Sequence, residues 1–218
     1  MMPLEDDTRR SSHVPVVTVA IIAANVFVFL LELIYGDAFV MRWAVVPRDV
    51  AHGHHLETVL TAMFMHASWS HIIGNMIFFW AFGPVMEESM GRAGFLVFYL
   101  LGGTVAFLAQ IFLDPGSAVP NLGASGAIAA VMGGFMVTFP RDRIRTILFF
   151  GFFARVTFIP AALLIGLWFL TQLIDMGVIA SSNTGGVAYM AHIGGLIFGA
   201  ATARLFEWPH RNSADYES

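Results

Sequence analysis

One serine, two histidines and one asparagine lie in otherwise apolar stretches and are the residues best suited to chemistry. Ser125 lies between Gly123 and Gly126, and His192 lies in an apolar stretch near the C-terminus. His71 and Asn75 are four residues apart, which places both on one face of a helix. Such a set can perform nucleophilic acyl transfer, in which histidine takes the serine proton and donors stabilise the oxyanion. Ser125 fits the nucleophile, His192 fits the base, and His71 and Asn75 can supply side-chain donors.

Two glycines accompany the serine, and no carboxylate does. Gly123 and Gly126 let the backbone and a substrate approach closely. A helix that begins at this point presents unpaired N–H groups and the positive end of its dipole. Ser125, His192 and His71 each lie in an apolar segment. No Asp or Glu lies in the N-terminal half of any of these three segments. We therefore expect a serine–histidine dyad rather than a triad.

The composition restricts the elements that can position these residues. The chain has 218 residues, 57% of them apolar and 12% charged, whereas a soluble domain has about 45–50% apolar and 25% charged residues. It contains no cysteine and no lysine, which excludes thiolate nucleophiles, sulfur-based metal sites and lysine chemistry. The net charge of −4 argues against nucleic acid as a partner. We expect a membrane protein that needs no cofactor and no metal.

Six apolar segments are long enough to cross a bilayer, so the fold class predicted is an all-α membrane protein, a six-transmembrane-helix bundle. The first segment has 21 residues, which exceeds the apolar region of a cleaved signal, about 7–15 residues. We expect a membrane domain at 15–206 between tails at 1–14 and 207–218. The segments are placed at 15–35, 70–86, 93–113, 122–140, 159–179 and 184–206.

The arginines indicate the orientation of these segments. With six spans, nine arginines lie on the side of the two termini and only Arg42 and Arg48 lie on the other side. Cytoplasmic loops carry the excess of positive charge, so both termini are predicted to be cytoplasmic. We expect the membrane to be a prokaryotic plasma membrane.

This orientation places the polar residues at a common depth. The second, fourth and sixth spans run inward from the outer face, with His71, Ser125 and His192 in their outer parts. Ser125 to Pro140 is about 22 Å of helix, less than the roughly 30 Å of the hydrocarbon core. The outer end of the fourth span must therefore be sunken, and water must reach it through a cavity. Glu32, near the outer end of the first span, is assigned no role.

The first loop, 36–69, is long and contains several apolar residues, among them Trp43 and Trp69. Loops of this length are usually functional. Two interpretations are open: a partly embedded flap packed against the bundle, or an interfacial connector with tryptophans at the headgroup level.

Four motifs along the chain resemble the rhomboid intramembrane serine proteases. Two histidines five residues apart, followed by an asparagine four residues later, resemble the family's second span, and the other motifs are similar to E-x-x-x-G, G-x-S-G and A-H-x-x-G-x-x-x-G. The matching segments are 64–76, 87–91, 123–126 and 191–199. The resemblance extends over roughly residues 15 to 206.

The resemblance implies an activity and a set of roles. It implies cleavage of single-pass membrane proteins near the outer leaflet, through an acyl-enzyme on Ser125, with His192 as base and then acid. His71, Asn75 and the backbone N–H of Ser125 would form the oxyanion hole, and His66 would be a supporting hydrogen-bonder. The partners implied are transmembrane protein substrates and the lipid bilayer. In the family, the fifth span and a cap loop move to admit substrate sideways, and Trp168 belongs to that element here.

Two positions depart from the family pattern. A Trp-Arg pair before the second span of many relatives is replaced by Glu57-Thr58, so the resemblance leaves the packing of this loop open. Many relatives carry an aromatic residue four positions after the nucleophile, where this chain has Ala129. Another group must then hold the ring of His192.

Two other functions would explain parts of this sequence. A non-proteolytic binder of membrane-protein clients is the alternative, but such relatives usually lack the serine or the histidine. A metal permease is suggested by His52, His54 and His55, but no H-E-x-x-H and no carboxylate partner lies near His71 or His192. The loop histidines are interpreted as a solvated cluster.

Overall fold

The computed structural model describes residues 1–6, 14–150, 153–180 and 189–207, with the backbone alone for 149–150 and 171–180. The predicted start of the sixth span at 184 and most of both tails, 7–13 and 208–218, lie outside the described residues. The elements that are described are α1 (Val16–Tyr35), α2 (Asp37–Trp43), α3 (Pro47–Ala51), α4 (Thr58–Thr61), α5 (Trp69–Leu113), α6 (Ser125–Thr138), α7 (Ala161–Ala180), α8 (Tyr189–Phe206), and the strands β1 (Met2–Asp6), β2 (Arg143–Phe150) and β3 (Phe153–Pro160).

Two of the described helices, α1 and α5, are long and apolar enough to cross a membrane. α5 has 45 residues and contains Gly91 with φ 72° and ψ 160°, a non-helical conformation that separates two arms. Each arm is about 33 Å long, enough for one crossing. The second and third predicted spans are thus the two arms of α5, while the count of six spans stays a prediction.

The bend of α5 is tied to the start of α1 by Glu87. Its carboxylate accepts hydrogen bonds from the backbone N–H groups of Val17 (2.9 Å) and Thr18 (2.8 Å) and from the Thr18 hydroxyl (2.8 Å). The first N–H groups of a helix have no partner within the helix, and a carboxylate there also complements the dipole. Glu87 and Gly91 of the E-x-x-x-G motif therefore join α1 to the bend.

A three-stranded antiparallel sheet, in the order β1-β2-β3, was not predicted from the sequence. β2 and β3 form a hairpin in which Arg143 pairs with Pro160, and β1 pairs with the other edge of β2. Ile144 and Thr146 of β2 are buried, whereas Arg143 is exposed and Arg145 is half-buried, the period-two pattern of a half-buried strand. The chain is mostly helical, as predicted, and this sheet is an addition to the predicted all-α bundle.

Helices α6 and α8 pack backbone to backbone. A Cβ atom added at Gly195 would overlap the carbonyl oxygen of Gly126, and one at Gly199 would overlap the carbonyl oxygen of Ala130. Only glycine permits this approach, and small residues are enriched where membrane helices pack closely. This contact brings the first turn of α6 next to α8.

The first loop packs against the bundle, which favours the flap over the interfacial connector. Val45, Met63 and Met65 are almost fully buried, and Val45 forms a backbone bridge with Asn121 in the loop before α6. At the departure from the family pattern, the Glu57 carboxylate accepts a hydrogen bond from Arg42 Nη1 at 3.1 Å.

Candidate active site

Ser125 is the first residue of α6, and Gly123 shapes the turn that leads into it. Gly123 has φ +134°, and a Cβ atom there would lie 3.0 Å from Cε1 and Nε2 of His71. Its N–H donates to the carbonyl oxygen of Ala62 at 2.9 Å, which joins the turn to the first loop. Gly126 lies close to α5, because an added Cβ would be 2.6 Å from the Cβ of Ala106. Both glycines are therefore required by close packing around the serine.

Ser125 and His192 form a hydrogen bond across the contact between α6 and α8. The distance between Ser125 Oγ and His192 Nε2 is 2.6 Å, and His192 is 3% exposed. Geometry of this kind lets the imidazole accept the hydroxyl proton as the oxygen attacks. The pair predicted from the sequence is thus within reach for proton transfer.

Two aromatic rings lie close to the imidazole of His192. Trp168 of α7 lies 5.4 Å from the imidazole, ring centroid to ring centroid, at 52°, and Tyr189 lies 6.5 Å away at 90°. Nδ1 of His192 has no hydrogen-bond partner among the described residues. Ala129 is fully buried, and its Cβ would be 3.3 Å from a Cβ added at Gly195. The sequence left open which group contacts the ring of His192. In the structure, Trp168 and Tyr189 are the aromatic residues that do so.

His71 lies in the first turn of α5, beside the Gly123 turn. Ser68 caps α5 by accepting a hydrogen bond from the His71 N–H at 3.2 Å. The N–H of Ala67 donates to His71 Nδ1 at 3.4 Å. A ring nitrogen that accepts a hydrogen bond carries no proton, so in neutral His71 the proton is on Nε2, which faces Gly123.

Asn75 lies one turn further along α5, in contact with His66. The distance between Asn75 Nδ2 and His66 Nε2 is 3.0 Å. Burial, and to a smaller extent the nearby His71, lowers the pKa of His66 to about 3. A neutral His66 can accept one of the two amide hydrogens of Asn75, which leaves the other free for an oxyanion.

Glu32 of α1 is part of this arrangement, although no role was assigned to it from the sequence. It is 6% exposed rather than solvated at an interface. Its Oε1 and Oε2 lie 3.2 and 3.1 Å from the backbone N–H of His66, which donates to them. The sequence did contain a signal for such a role, because an acidic residue within an apolar, membrane-spanning stretch usually has a specific partner.

The three histidines of the first loop lie apart from these residues. His52, His54 and His55 are exposed, and Nδ1 of His52 contacts the carbonyl oxygen of Arg48 at 2.7 Å. Within the ranges that the structure describes, no group of three or more His, Asp or Glu side chains is arranged to hold a metal ion.

Comparisons with known proteins agree with the arrangement of these motifs. A family model for the rhomboid domain matches residues 53–208. The mitochondrial RHOMBOID-like protein 12 of Arabidopsis thaliana is 30% identical over 206 residues, which cover 87% of this chain and 58% of that protein. The rhomboid protease GlpG of Yersinia enterocolitica is 28% identical over 209 residues, which cover 95% of this chain and 67% of that protein. The chain thus spans less than two thirds of the Arabidopsis relative.

Proposed function

We propose that this chain, which belongs to the rhomboid family, is an intramembrane serine endopeptidase that acts through the dyad Ser125–His192. The single observation that carries the proposal is the 2.6 Å hydrogen bond between Ser125 Oγ and His192 Nε2. Its relatives include proteins named rhomboid protease.

The reaction follows from the positions of these groups. His192 Nε2 takes the proton of Ser125 as Oγ attacks the carbonyl carbon of the substrate peptide bond. The charge that develops on the carbonyl oxygen is stabilised by the N–H of Ser125 and by the side-chain donors of His71 and Asn75. The protonated His192 then gives its proton to the leaving amine, and the acyl-enzyme forms.

Hydrolysis of the acyl-enzyme repeats these steps with water. His192 takes a proton from a water molecule, whose oxygen attacks the ester carbon. The ester bond breaks, Ser125 Oγ regains the proton from His192, and the new carboxyl terminus leaves. No cofactor and no metal takes part in this proposal.

The proposed substrates are single-pass membrane proteins, cut near the outer leaflet. Several large apolar side chains of α1 and α5 are exposed, among them Phe27, Leu33, Ile73 and Leu108, and lipid would cover them. The excess of arginine on one side supports cytoplasmic termini in a chain of six spans. With this orientation the dyad lies on the outer side.

The proposal is tested by cleavage of a single-pass substrate in liposomes. Wild-type protein is compared with Ser125→Ala, His192→Ala and the control Ser117→Ala, and mass spectrometry identifies the product termini. We expect a cut near the outer end of the substrate helix that both dyad variants lose and the control retains. Client binding without cleavage, unchanged by Ser125→Ala, would support the non-proteolytic binder instead.

The orientation has a separate test that uses the absence of native cysteine. Single cysteines are introduced at Ser117 and Arg141, and intact cells are treated with a membrane-impermeant maleimide. We expect labelling at position 117 and none at 141 until the membrane is opened. The reverse pattern would contradict cytoplasmic termini.

A further inference from the structure

The carboxylate of Glu32 is a buried titratable group that the reaction steps above do not use. It lies near the end of α1, in contact with the segment 65–68 that precedes α5. We propose that Glu32 is a positioning residue that holds the oxyanion donors His71 and Asn75 in place through His66. This inference rests on the proposed function.

The first step of the argument is the attachment of α1 to the start of α5. Glu32 accepts the hydrogen bond of the His66 N–H with both oxygens, at 3.2 and 3.1 Å. Three residues earlier on α1, Phe29 contacts Trp69 edge to face, with 5.0 Å between ring centroids. Residues three apart share a helix face. One face of α1 therefore contacts residues on both sides of Ser68, the residue that caps the N-terminus of α5.

The second step is the link from His66 to both donors. His66 Nε2 lies 3.0 Å from Asn75 Nδ2, and its ring meets that of His71 edge to face at 5.0 Å. The next residue, Ala67, donates its N–H to His71 Nδ1 at 3.4 Å. A shift of His66 and Ala67 would thus move both donors at once.

The third step is the cost of losing the contact. His66 is 2% exposed, and a buried N–H without an acceptor is strongly disfavoured. If the Glu32 side chain no longer reached this N–H, the segment 65–68 would shift until the N–H met another acceptor. Donors must lie within a few tenths of an ångström of their working positions, because a displacement near 1 Å can cost about 100-fold in rate.

Two conservative substitutions separate the reach of the side chain from its acidic character. Glu32→Gln keeps the length and one acceptor oxygen, whereas Glu32→Asp keeps the carboxyl group and withdraws its oxygens by about 1.5 Å. We expect Glu32→Asp to lower kcat by about 10- to 100-fold, with KM unchanged. We expect kcat of Glu32→Gln to stay within about threefold of wild type.

The matched control is Glu57→Gln, because Glu57 is a carboxylate of the first loop that is exposed and paired with Arg42. Its kcat should equal that of wild type. Thermal unfolding in detergent is recorded for every variant, so that kcat is compared only between folded proteins. If Glu32→Asp does not fold, Glu32→Leu and Glu32→Gln are compared in the same way.

A double-mutant cycle tests the route through Asn75. In the background of Asn75→Ala, Glu32→Asp should reduce kcat by a smaller factor than in wild type, since one donor that it positions is already absent. Equal factors in the two backgrounds would overturn the proposal, as would a Glu32→Gln variant no more active than Glu32→Asp. If wild type shows no Ser125-dependent cleavage, the proposed function fails first, and this inference fails with it.

Discussion

The indole ring of Trp168 on α7 lies against the imidazole of His192 on α8, with 5.4 Å between ring centroids. Trp168 also approaches Phe78 of α5, at 6.1 Å between centroids. The sequence left open which group holds His192 opposite Ala129, and these contacts answer that question. The imidazole of His192 is thus in contact with a ring from the neighbouring helix α7.

We predict that Trp168→Ala lowers the rate at which a fluorophosphonate labels Ser125. Loss of an aromatic contact worth about 0.5–1.5 kcal/mol corresponds to a reduction of about two- to tenfold. Trp168→Phe keeps a ring and should retain most of the rate. The control Leu170→Ala removes an exposed side chain of the same helix. Labelling of Trp168→Ala at the wild-type rate would contradict a role in holding His192.

We predict that Gly195→Ala lowers the unfolding temperature and slows labelling of Ser125. The new Cβ would overlap the carbonyl oxygen of Gly126, so α6 and α8 must separate. Overpacking of this kind costs about 1–3 kcal/mol. Gly166→Ala, where an added Cβ has no neighbour within 4 Å, is the matched control. If both variants unfold at the same temperature, the close contact of these helices is not required.

We predict that kcat/KM for cleavage rises with pH as His192 loses its proton. Only the neutral imidazole can accept the proton of Ser125. The profile is measured from about pH 3 to pH 8, over the range in which the protein stays folded. Fluorophosphonate labelling should follow the same curve, because it requires the same base. A rate that does not fall at the acid end while the protein stays folded would exclude His192 as the titrating base.

We predict that His66 makes the protein less stable in acid. Its pKa is lowered from 6.5 to about 3, so between these values the unfolded chain binds the proton and the folded protein does not. The free energy of unfolding therefore falls as the pH is lowered through this range. His66→Gln should weaken this dependence in unfolding experiments between about pH 7 and pH 4. His54→Gln, an exposed histidine of the same loop, should leave it unchanged.

Much of the site was predictable because its spacing is local. The four-residue step from His71 to Asn75 places both side chains on one helix face. The glycines at 195 and 199 are likewise one turn apart, and the structure places both against α6. The apolar runs that became α1 and the two arms of α5 were placed within a few residues of their observed ends.

Other contacts depend on residues far apart in the chain. The sequence predicts a polar tail at residues 1–14, but Met2–Asp6 forms strand β1 because β2, some 140 residues later, offers it a paired edge. An edge strand gains its hydrogen bonds from its partner, so its own pattern does not specify the pairing. The sheet was therefore missed.

The composition, the apolar segments and the candidate pair Ser125 and His192 could be read from the sequence itself, because apolar length and helical spacing are local properties. The tertiary structure decided that Glu32 meets His66, 34 residues later, and that Trp168 rather than residue 129 meets His192. Both contacts join separate segments of the chain, and their geometry depends on how every intervening segment packs. A single apolar run with one carboxylate does not specify its partner, since that choice is made by the packed bundle as a whole.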